Sequence, residues 1–341
     1  MRRTEADGSV WREEQRMSGH FVGKDGHADV AVIVVTYRSA TDLDRLIASL
    51  RGEASSQSLR VIVADNESPD DTLAVARAHA DVVALSTGGN LGYAGGINAA
   101  MTAAGDADAI LVLNPDLVVE PGAIAALRQR IAQRGVGIAV PTVLDGSGAL
   151  STSLRREPSV LRGLGDALLG GRFRGRPAAL AEMVLSPDEY EYAHPVDWAT
   201  GAAMLISRET ADAVGDWDER FFLYSEETDY FRRARESGHT TWFEPEAIVR
   251  HAAGGSGSSV ALEQLLAVNR VRYFAGYHGR VATFLFHVTA VLNHLVRSTD
   301  PTHRAVLRAV ASPPTWAALP KASRARAVQS DTTNDLGGAA R

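Results

Sequence analysis

The sequence predicts an α/β fold in which a mostly parallel sheet carries helices on both faces, with further helices towards the C-terminus. Three observations predict it. Short β-branched runs alternate with segments whose apolar residues recur at helical spacing between Asp29 and Leu113. The runs are continuously apolar, as strands covered on both faces are, rather than alternating. Polar clusters follow the runs directly, and the C-terminal ends of strands are where open α/β sheets bind ligands.

The elements follow in order. Residues 1–28 are charged, contain no apolar stretch of signal-peptide type, and read as a disordered tail. DVAVIVVTY (Asp29–Tyr37) is the first strand and Thr41–Leu50 the first helix. LRVIVAD (Leu59–Asp65) is the second strand, Asp70–Ala80 the second helix and Val82–Leu85 a short third strand. Asn90–Ala104 reads as a glycine-rich turn running into a helix, and AILVL (Ala109–Leu113) as a fourth strand. Arg155–Pro195 is irregular, with Gly, Arg and Pro clusters, and reads as a mobile loop region. Ala202–Ser207 and Thr240–Phe243 are further strands. Ser225–Ser237 reads as a helix with Ser225 at its N-cap. Residues 29–260 would form the catalytic domain, 261–311 a C-terminal helical segment and 312–341 a disordered tail.

Composition removes several classes of function. The 341 residues include no cysteine, so disulfides, thiolate catalysis and cysteine-bound zinc are absent. That suits a cytoplasmic protein. The formal net charge of −6 gives no global basic field for nucleic acid. The longest apolar run near the C-terminus, Val281–Val296, is interrupted by His287, Asn293 and His294 and is too short to span a bilayer.

Five clusters can carry chemistry. Asp65 ends the second strand, where a carboxylate can accept the N3–H of uracil or thymine; it can equally hold the following turn. Gly88–Asn98 packs five glycines into its first nine residues ahead of a helix, which allows a ligand close to the backbone or simply makes a tight connection. Asn114-Pro115-Asp116 places two oxygen donors at i and i+2, suited to Mg²⁺ or Mn²⁺ and also found in plain turns. Ser225-Glu226-Glu227-Thr228-Asp229 sets three carboxylates at a helix start behind the apolar Phe221–Tyr224, at the edge of a core where carboxylate pKa values rise. His251 can add an imidazole to a metal site.

The order of these clusters is more telling than any one. VVTY, VADNES, GGNLGYAGGIN, LNPD, DWATGA, FFLYSEETD and RH in succession resemble family 2 glycosyltransferases of the GT-A fold, over about residues 30–280. NLGYAGGIN and Pro158–Gly163 give a narrower likeness to bacterial rhamnosyltransferases that extend polyprenyl-diphosphate-linked sugars. The resemblance implies that Thr36, Tyr37, Asp65, Asn90, Gly92, Gly95, Asn98 and Asn114 hold the nucleotide of a uridine or thymidine diphosphate sugar. Asp116 and His251 would bind Mg²⁺ or Mn²⁺. Asn114 stands where the family's Asp-x-Asp signature has its first acid. The family's Glu-Asp pair is here Glu226-Glu227, so Glu227 takes the base position, one methylene longer, with Asp229 as the fallback. Trp198, Thr200 and Gly201 would flank the acceptor, a glycan or a polyprenyl-linked sugar. The implied reaction is a single inverting displacement with a carboxylate as base. The alternative is a catalytically silent sugar-nucleotide-binding protein. Arg270, Arg272, His278, Arg280 and Arg297, interleaved with Tyr273, Phe274, Tyr277, Phe284, Leu285 and Phe286, suit peripheral membrane contact at the inner face of the plasma membrane, and equally suit helices that pack on the catalytic domain.

Overall fold

The computed structural model describes residues 19–23, 25–170, 176–251 and 259–324. In chain order the first strands are β1 (Ala28–Thr36), β2 (Leu59–Asp65), β3 (Val83–Ser86), β4 (Gly89–Asn90), β5 (Ala107–Leu113) and β6 (Leu117–Val119). They are followed by β7 (Val136–Leu144), β8 (Leu154–Arg155), β9 (His194–Val196), β10 (Trp198–Ala199), β11 (Ala203–Ser207), β12 (Thr240–His251) and β13 (Ser323–Arg324). The main sheet runs β3-β2-β1-β5-β11-β7-β12-β6, with β9 alongside β12. β3, β2, β1 and β5 are parallel, and β12 is parallel to β7. β11 lies antiparallel between β5 and β7. The sheet is therefore mostly parallel, as the sequence predicts.

The helices of the first half are α1 (Leu43–Glu53), α2 (Thr72–Ala78), α3 (Gly92–Met101) and α4 (Ala123–Ile131). β1, β2 and β5 are largely apolar on both sides because both sides are covered. Val30, Val32 and Val34 of β1 face Leu46 and Leu50 of α1 and Ile124 and Leu127 of α4. Ala31, Ile33 and Val35 face Ala94 and Ile97 of α3 and, further along, Tyr230 and Phe231. Burying a leucine such as Leu46 or Leu50 contributes about 2 kcal/mol.

The second half has α5 (Val160–Leu169), α6 (Arg208–Val214), α7 (Glu226–Glu236), α8 (Val260–Tyr277), α9 (Arg280–Leu295) and α10 (Pro301–Ala311). α8 and α10 close a small core through Leu265, Val268, Val306 and Val310. α8 and α9 meet through Val271, Phe274 and Phe286.

Several sequence expectations need correction. The N-terminal tail is not wholly outside the fold: Phe21 is buried against α1, with Arg51 over its ring at 4.6 Å, and Ala28 and Asp29 already belong to β1. The segment read as an irregular loop contains α5, capped by Ser159, whose side chain accepts from the Arg162 amide. Its Gly163 and Gly165 look like helix breakers but serve close packing. A Cβ on Gly163 would lie 2.4 Å from Thr289 Oγ1, and one on Gly165 2.1 Å from the Leu180 carbonyl oxygen. Past Ser312, Pro313–Ala318 forms a 3₁₀ turn, and β13 pairs with β4. The rest of that expected tail lies outside the described residues. Among the described residues no helix is long and apolar enough to cross a membrane.

Candidate active site

The strand ends come first. Asp65 is buried and accepts from Thr36 Oγ1 at 3.0 Å, Ser68 N at 2.9 Å and Ser68 Oγ at 2.5 Å. Tyr37, which follows β1, is 46% exposed, with the Arg38 guanidinium 5.5 Å from the centre of its ring. The glycine-rich segment is mostly a packing device. Gly92 (φ +75°) lets Tyr93 N reach the Phe222 carbonyl at 2.6 Å, and a Cβ on Gly92 would lie 2.1 Å from that same oxygen. Added Cβ atoms on Gly95 and Gly96 would strike Leu91 and Val35. Asn90 Oδ1 accepts from Gly92 N. Asn98 holds the loop before α7, donating to the Trp217 carbonyl and Glu219 and accepting from Trp217 N. Its amide is thus taken up by scaffold contacts.

Asn114 follows β5, its N–H donating to the Ala202 carbonyl at 2.8 Å. β6 pairs antiparallel with β12, which sets His251 opposite Leu117. Asp116 Oδ2 then lies 3.3 Å from His251 Nδ1, and this hydrogen bond raises the imidazole pKa. Two adjacent ligands of one ion, with bonds of about 2.1 Å, stand about 3 Å apart, so this oxygen–nitrogen pair fits Mg²⁺ or Mn²⁺. A second carboxylate–imidazole group, His27, Asp29 and Asp108, sits at the opposite, N-terminal ends of β1 and β5. Arg128 lies 3.2 Å from Asp29 and 3.5 Å from Asp108 there, which makes it an ion-pair cluster away from the strand ends that bind ligands.

The acids stand on a strained turn. Phe222, Tyr224 and Ser225 have φ of 61°, 68° and 72°, a region that non-glycine residues enter at a cost. Asn269 of α8, fully buried, holds this turn: its Nδ2 donates to the carbonyls of Phe221, Leu223 and Tyr224 at 2.7, 2.9 and 3.2 Å. Ser225 takes the N-cap position without capping, because its left-handed backbone turns the side chain away and it makes no cap bond. The turn aims Glu226 and Glu227 into a cavity of about 1040 Å³. Each keeps a buried Oε2 with no hydrogen-bond partner among the described residues. Burial pushes Glu227 up to about 7, against the pull of nearby backbone donors and Arg155. Glu226 is raised well above the usual range by burial and by Glu227. Asp229 is placed differently. It is committed to Arg233 at 2.7 Å and the Tyr277 hydroxyl at 2.5 Å, and does not line the cavity.

Trp198, Thr200 and Gly201 all line the cavity. Trp198 donates from Nε1 to the Arg156 carbonyl, so it is both packed and presented. Sequence reasoning missed Tyr93, whose hydroxyl donates to the Gly201 carbonyl at 2.8 Å and whose ring sits among Glu226, Glu227 and Asp116. It also missed the cavity residues Arg155, Asp166 and Glu182. Nothing local marks these, since the fold brings each to the cavity: Tyr93 meets Gly201, Arg155 pairs across from Trp198, and Asp166 and Glu182 meet Arg270. The residues named for the membrane divide in the structure. Tyr273, Phe274 and Phe286 are buried, and Arg270 turns into the cavity, whereas Phe284 and Leu285 are exposed.

A sheet ending in such a cavity, with an acid–imidazole pair at one side and desolvated carboxylates at the other, is that of a group-transfer enzyme. Comparison with known proteins gives the family. The model of glycosyl transferase family 2 matches residues 31–177. The chain is 34% identical over 245 residues to N-acetylglucosaminyl-diphospho-decaprenol L-rhamnosyltransferase of Mycobacterium tuberculosis, covering 67% of this chain and 78% of that one. It is 31% identical over 211 residues to the low-salt glycan biosynthesis hexosyltransferase Agl10 of Haloferax volcanii, spanning 62% of that relative's length. Among solved structures, the mannosyltransferase PcManGT of Pyrobaculum calidifontis, in complex with GDP-Man and Mn²⁺, matches with a TM-score of 0.51 at 18% identity, over 91% of this chain and 84% of its own. The fold is GT-A. The chain belongs to glycosyltransferase family 2 and transfers a sugar from a sugar-nucleotide donor.

Proposed function

We propose that the protein moves a sugar, with L-rhamnose the first candidate, from a uridine or thymidine diphosphate donor to a hydroxyl of a polyprenyl-diphosphate-linked glycan, inverting the anomeric centre. The observation that carries this is the pair Glu226 and Glu227, each with a buried carboxylate oxygen that lacks a donor beside the cavity. The relative that acts on a decaprenyl-diphosphate-linked sugar supports the acceptor class. Glu227 would take the proton of the attacking hydroxyl; at a pKa of about 7 it is basic enough to do so and is still ionised in useful amount near neutrality. Asp116 and His251 would hold Mg²⁺ or Mn²⁺, which when bound would supply positive charge to the donor diphosphate. Asp65 and Tyr37 would hold the base, and Trp198 would pack on the acceptor sugar. Tyr93 would orient Gly201, where an added Cβ would lie 3.7 Å from Glu227 Cβ.

Membrane contact follows from a different feature. Val281, Phe284, Leu285 and Val288 are exposed at i, i+3, i+4 and i+7 on α9, one apolar stripe. Leu161, Leu168 and Leu169 are exposed on α5, which packs against α9. These two helices would lie at the cytoplasmic face of the plasma membrane, where a lipid-linked acceptor resides.

The test is a donor panel. Purified protein with Mn²⁺ or Mg²⁺ is offered uridine and thymidine diphosphate sugars with a polyprenyl-diphosphate acceptor. Release of nucleotide and the anomeric coupling of the product are read. Product with inverted configuration, lost on chelation and in Asp116→Ala, is expected. Acceptor-independent binding of a nucleotide sugar without turnover would make the protein a silent binder instead.

A further inference from the structure

The cavity has a second end that the transfer chemistry does not use. Towards the C-terminal helices it is lined by Arg155, Asp166, Glu182, Arg270, Asn293 and Arg297. The charges there do not balance. Asp166 pairs with Arg176 at 2.5 Å and with Arg270 at 3.7 Å, and Glu182 pairs with Arg270. Two carboxylates are thus matched by two guanidinium groups. Arg155 and Arg297 are left over, with no ion pair among the described residues. Arg155 Nη1 donates only to the carbonyls of Thr152 (2.6 Å) and Leu154 (3.0 Å). Arg297 donates to the carbonyls of Ala167, Asn293 and Asp166 and to the Asn293 side-chain oxygen. Neutral oxygens fix a guanidinium's direction but do not cancel its charge. Burial lowers the pKa of Arg155, and the more distant carboxylates of Glu182 and Glu227 offset this only in part.

The surroundings indicate which anion fits. Arg155 of β8 stands directly across from Trp198 of β10, and opposed residues of an antiparallel pair share a face. Arg155 is also close enough to Glu227 for each to shift the other. A sugar packed on Trp198 with a hydroxyl at Glu227 would therefore have its substituent within reach of Arg155. Beyond Arg297 the rim is Leu169 and Gly170, next to the exposed apolar residues of α5 and of the end of α9, Leu295 and Val296.

We propose that Arg155 and Arg297 form an anion subsite for the phosphates that join the acceptor sugar to its lipid, with the lipid leaving between α5 and α9. Arginine suits phosphate because its planar fork can donate two parallel hydrogen bonds. The proposal rests on the lipid-linked acceptor inferred above, and its test does not depend on turnover.

The full chain, in EDTA so that the donor's metal site is out of play, is titrated calorimetrically with farnesyl diphosphate, inorganic diphosphate and farnesol. Farnesyl diphosphate is expected to bind most tightly and farnesol at least tenfold more weakly. Arg155→Gln and Arg297→Gln should each weaken farnesyl diphosphate at least tenfold, with Arg155→Lys recovering part of it. Asp116→Asn should bind it as the parent does while losing the nucleotide sugar. Inorganic diphosphate binding as tightly as farnesyl diphosphate would mark a free-phosphate site and remove the lipid from the proposal. Equal binding of farnesol, or unaltered binding in both arginine variants with unchanged melting curves, would overturn it. So would weakening in Asp116→Asn, which would place the anion at the donor site. If the subsite behaves as expected but no lipid-linked acceptor is glycosylated, the acceptor assignment fails and the subsite stands.

Discussion

The turn after β2 and the turn before α7 both present a buried carboxylate at the edge of the sheet, yet they treat it in opposite ways. Asp65 accepts three hydrogen bonds from Thr36 and Ser68. Glu226 and Glu227 each keep a buried oxygen with no donor. A carboxylate whose oxygens are already met is held for its shape and direction, fit to read a base edge. One denied donors is pushed towards protonation, and so towards proton transfer. In the proposed mechanism the two turns would divide recognition from chemistry.

The largest effect should come from Glu227→Gln. It should lower kcat by about 10²–10⁴-fold while donor KM stays, because the amide keeps the shape but cannot take a proton. The pH profile sharpens this. A base works ionised, and the folded pKa is about 7, so kcat/KM of the parent should fall as pH drops through about 7, and this limb should vanish in the variant. The same raised pKa means the folded state binds the proton more tightly than the unfolded chain. Melting temperature should therefore decline as pH rises from the ordinary glutamate value through about 7. A limb near the ordinary value would show that burial does not tune this group.

Asn269→Ala should come next, at about 10–100-fold in kcat, since a base displaced by about an ångström loses that much. Loss of three hydrogen bonds should also cost about 1–3 kcal/mol of stability. A purely structural role would leave the pH profile in place. If Asn269 positions the acids, the acid limb should move to lower pH as the turn relaxes and admits water. An unmoved limb with intact kcat would remove the clamp from the argument.

Asp229→Asn should do least to turnover, within about threefold, while costing about 1–3 kcal/mol through Arg233 and Tyr277. A dead Asp229→Asn beside an active Glu227→Gln, each assayed by nucleotide release, would reverse the assignment of the base.

The parallel half of the sheet was legible because its strands are apolar on both faces and short. β7 was not, because Gly137 and Pro141 interrupt its pattern; Gly137 is needed where Thr210 and His239 crowd the backbone. α5 was hidden by Gly163 and Gly165, which make room for Thr289 and Leu180, a tertiary reason invisible in a local window. In the candidate site, the strand-end residues and the acids could be picked out because they sit in short polar clusters after apolar runs. Tyr93, Arg155 and Asn269 could not, since each matters through partners far along the chain. The inward and outward faces of α8 and α9 were equally unreadable, because both faces carry aromatics and arginines.

The clamp that Asn269 makes has a consequence for how such a protein can change. The C-terminal helices carry both the apolar stripe and the side chain that holds the base turn. Exchanging them to redirect the enzyme to another acceptor, or deleting them to obtain a minimal catalyst, would also disturb the geometry of proton abstraction. Asp65, proposed to read the donor's base, is held by Thr36 and Ser68 instead and takes no such support from those helices among the described residues. On the proposed roles, donor preference would be the portable trait, open to change by substitution at the strand ends. Acceptor preference and turnover would be inherited together, as one unit that must evolve in step.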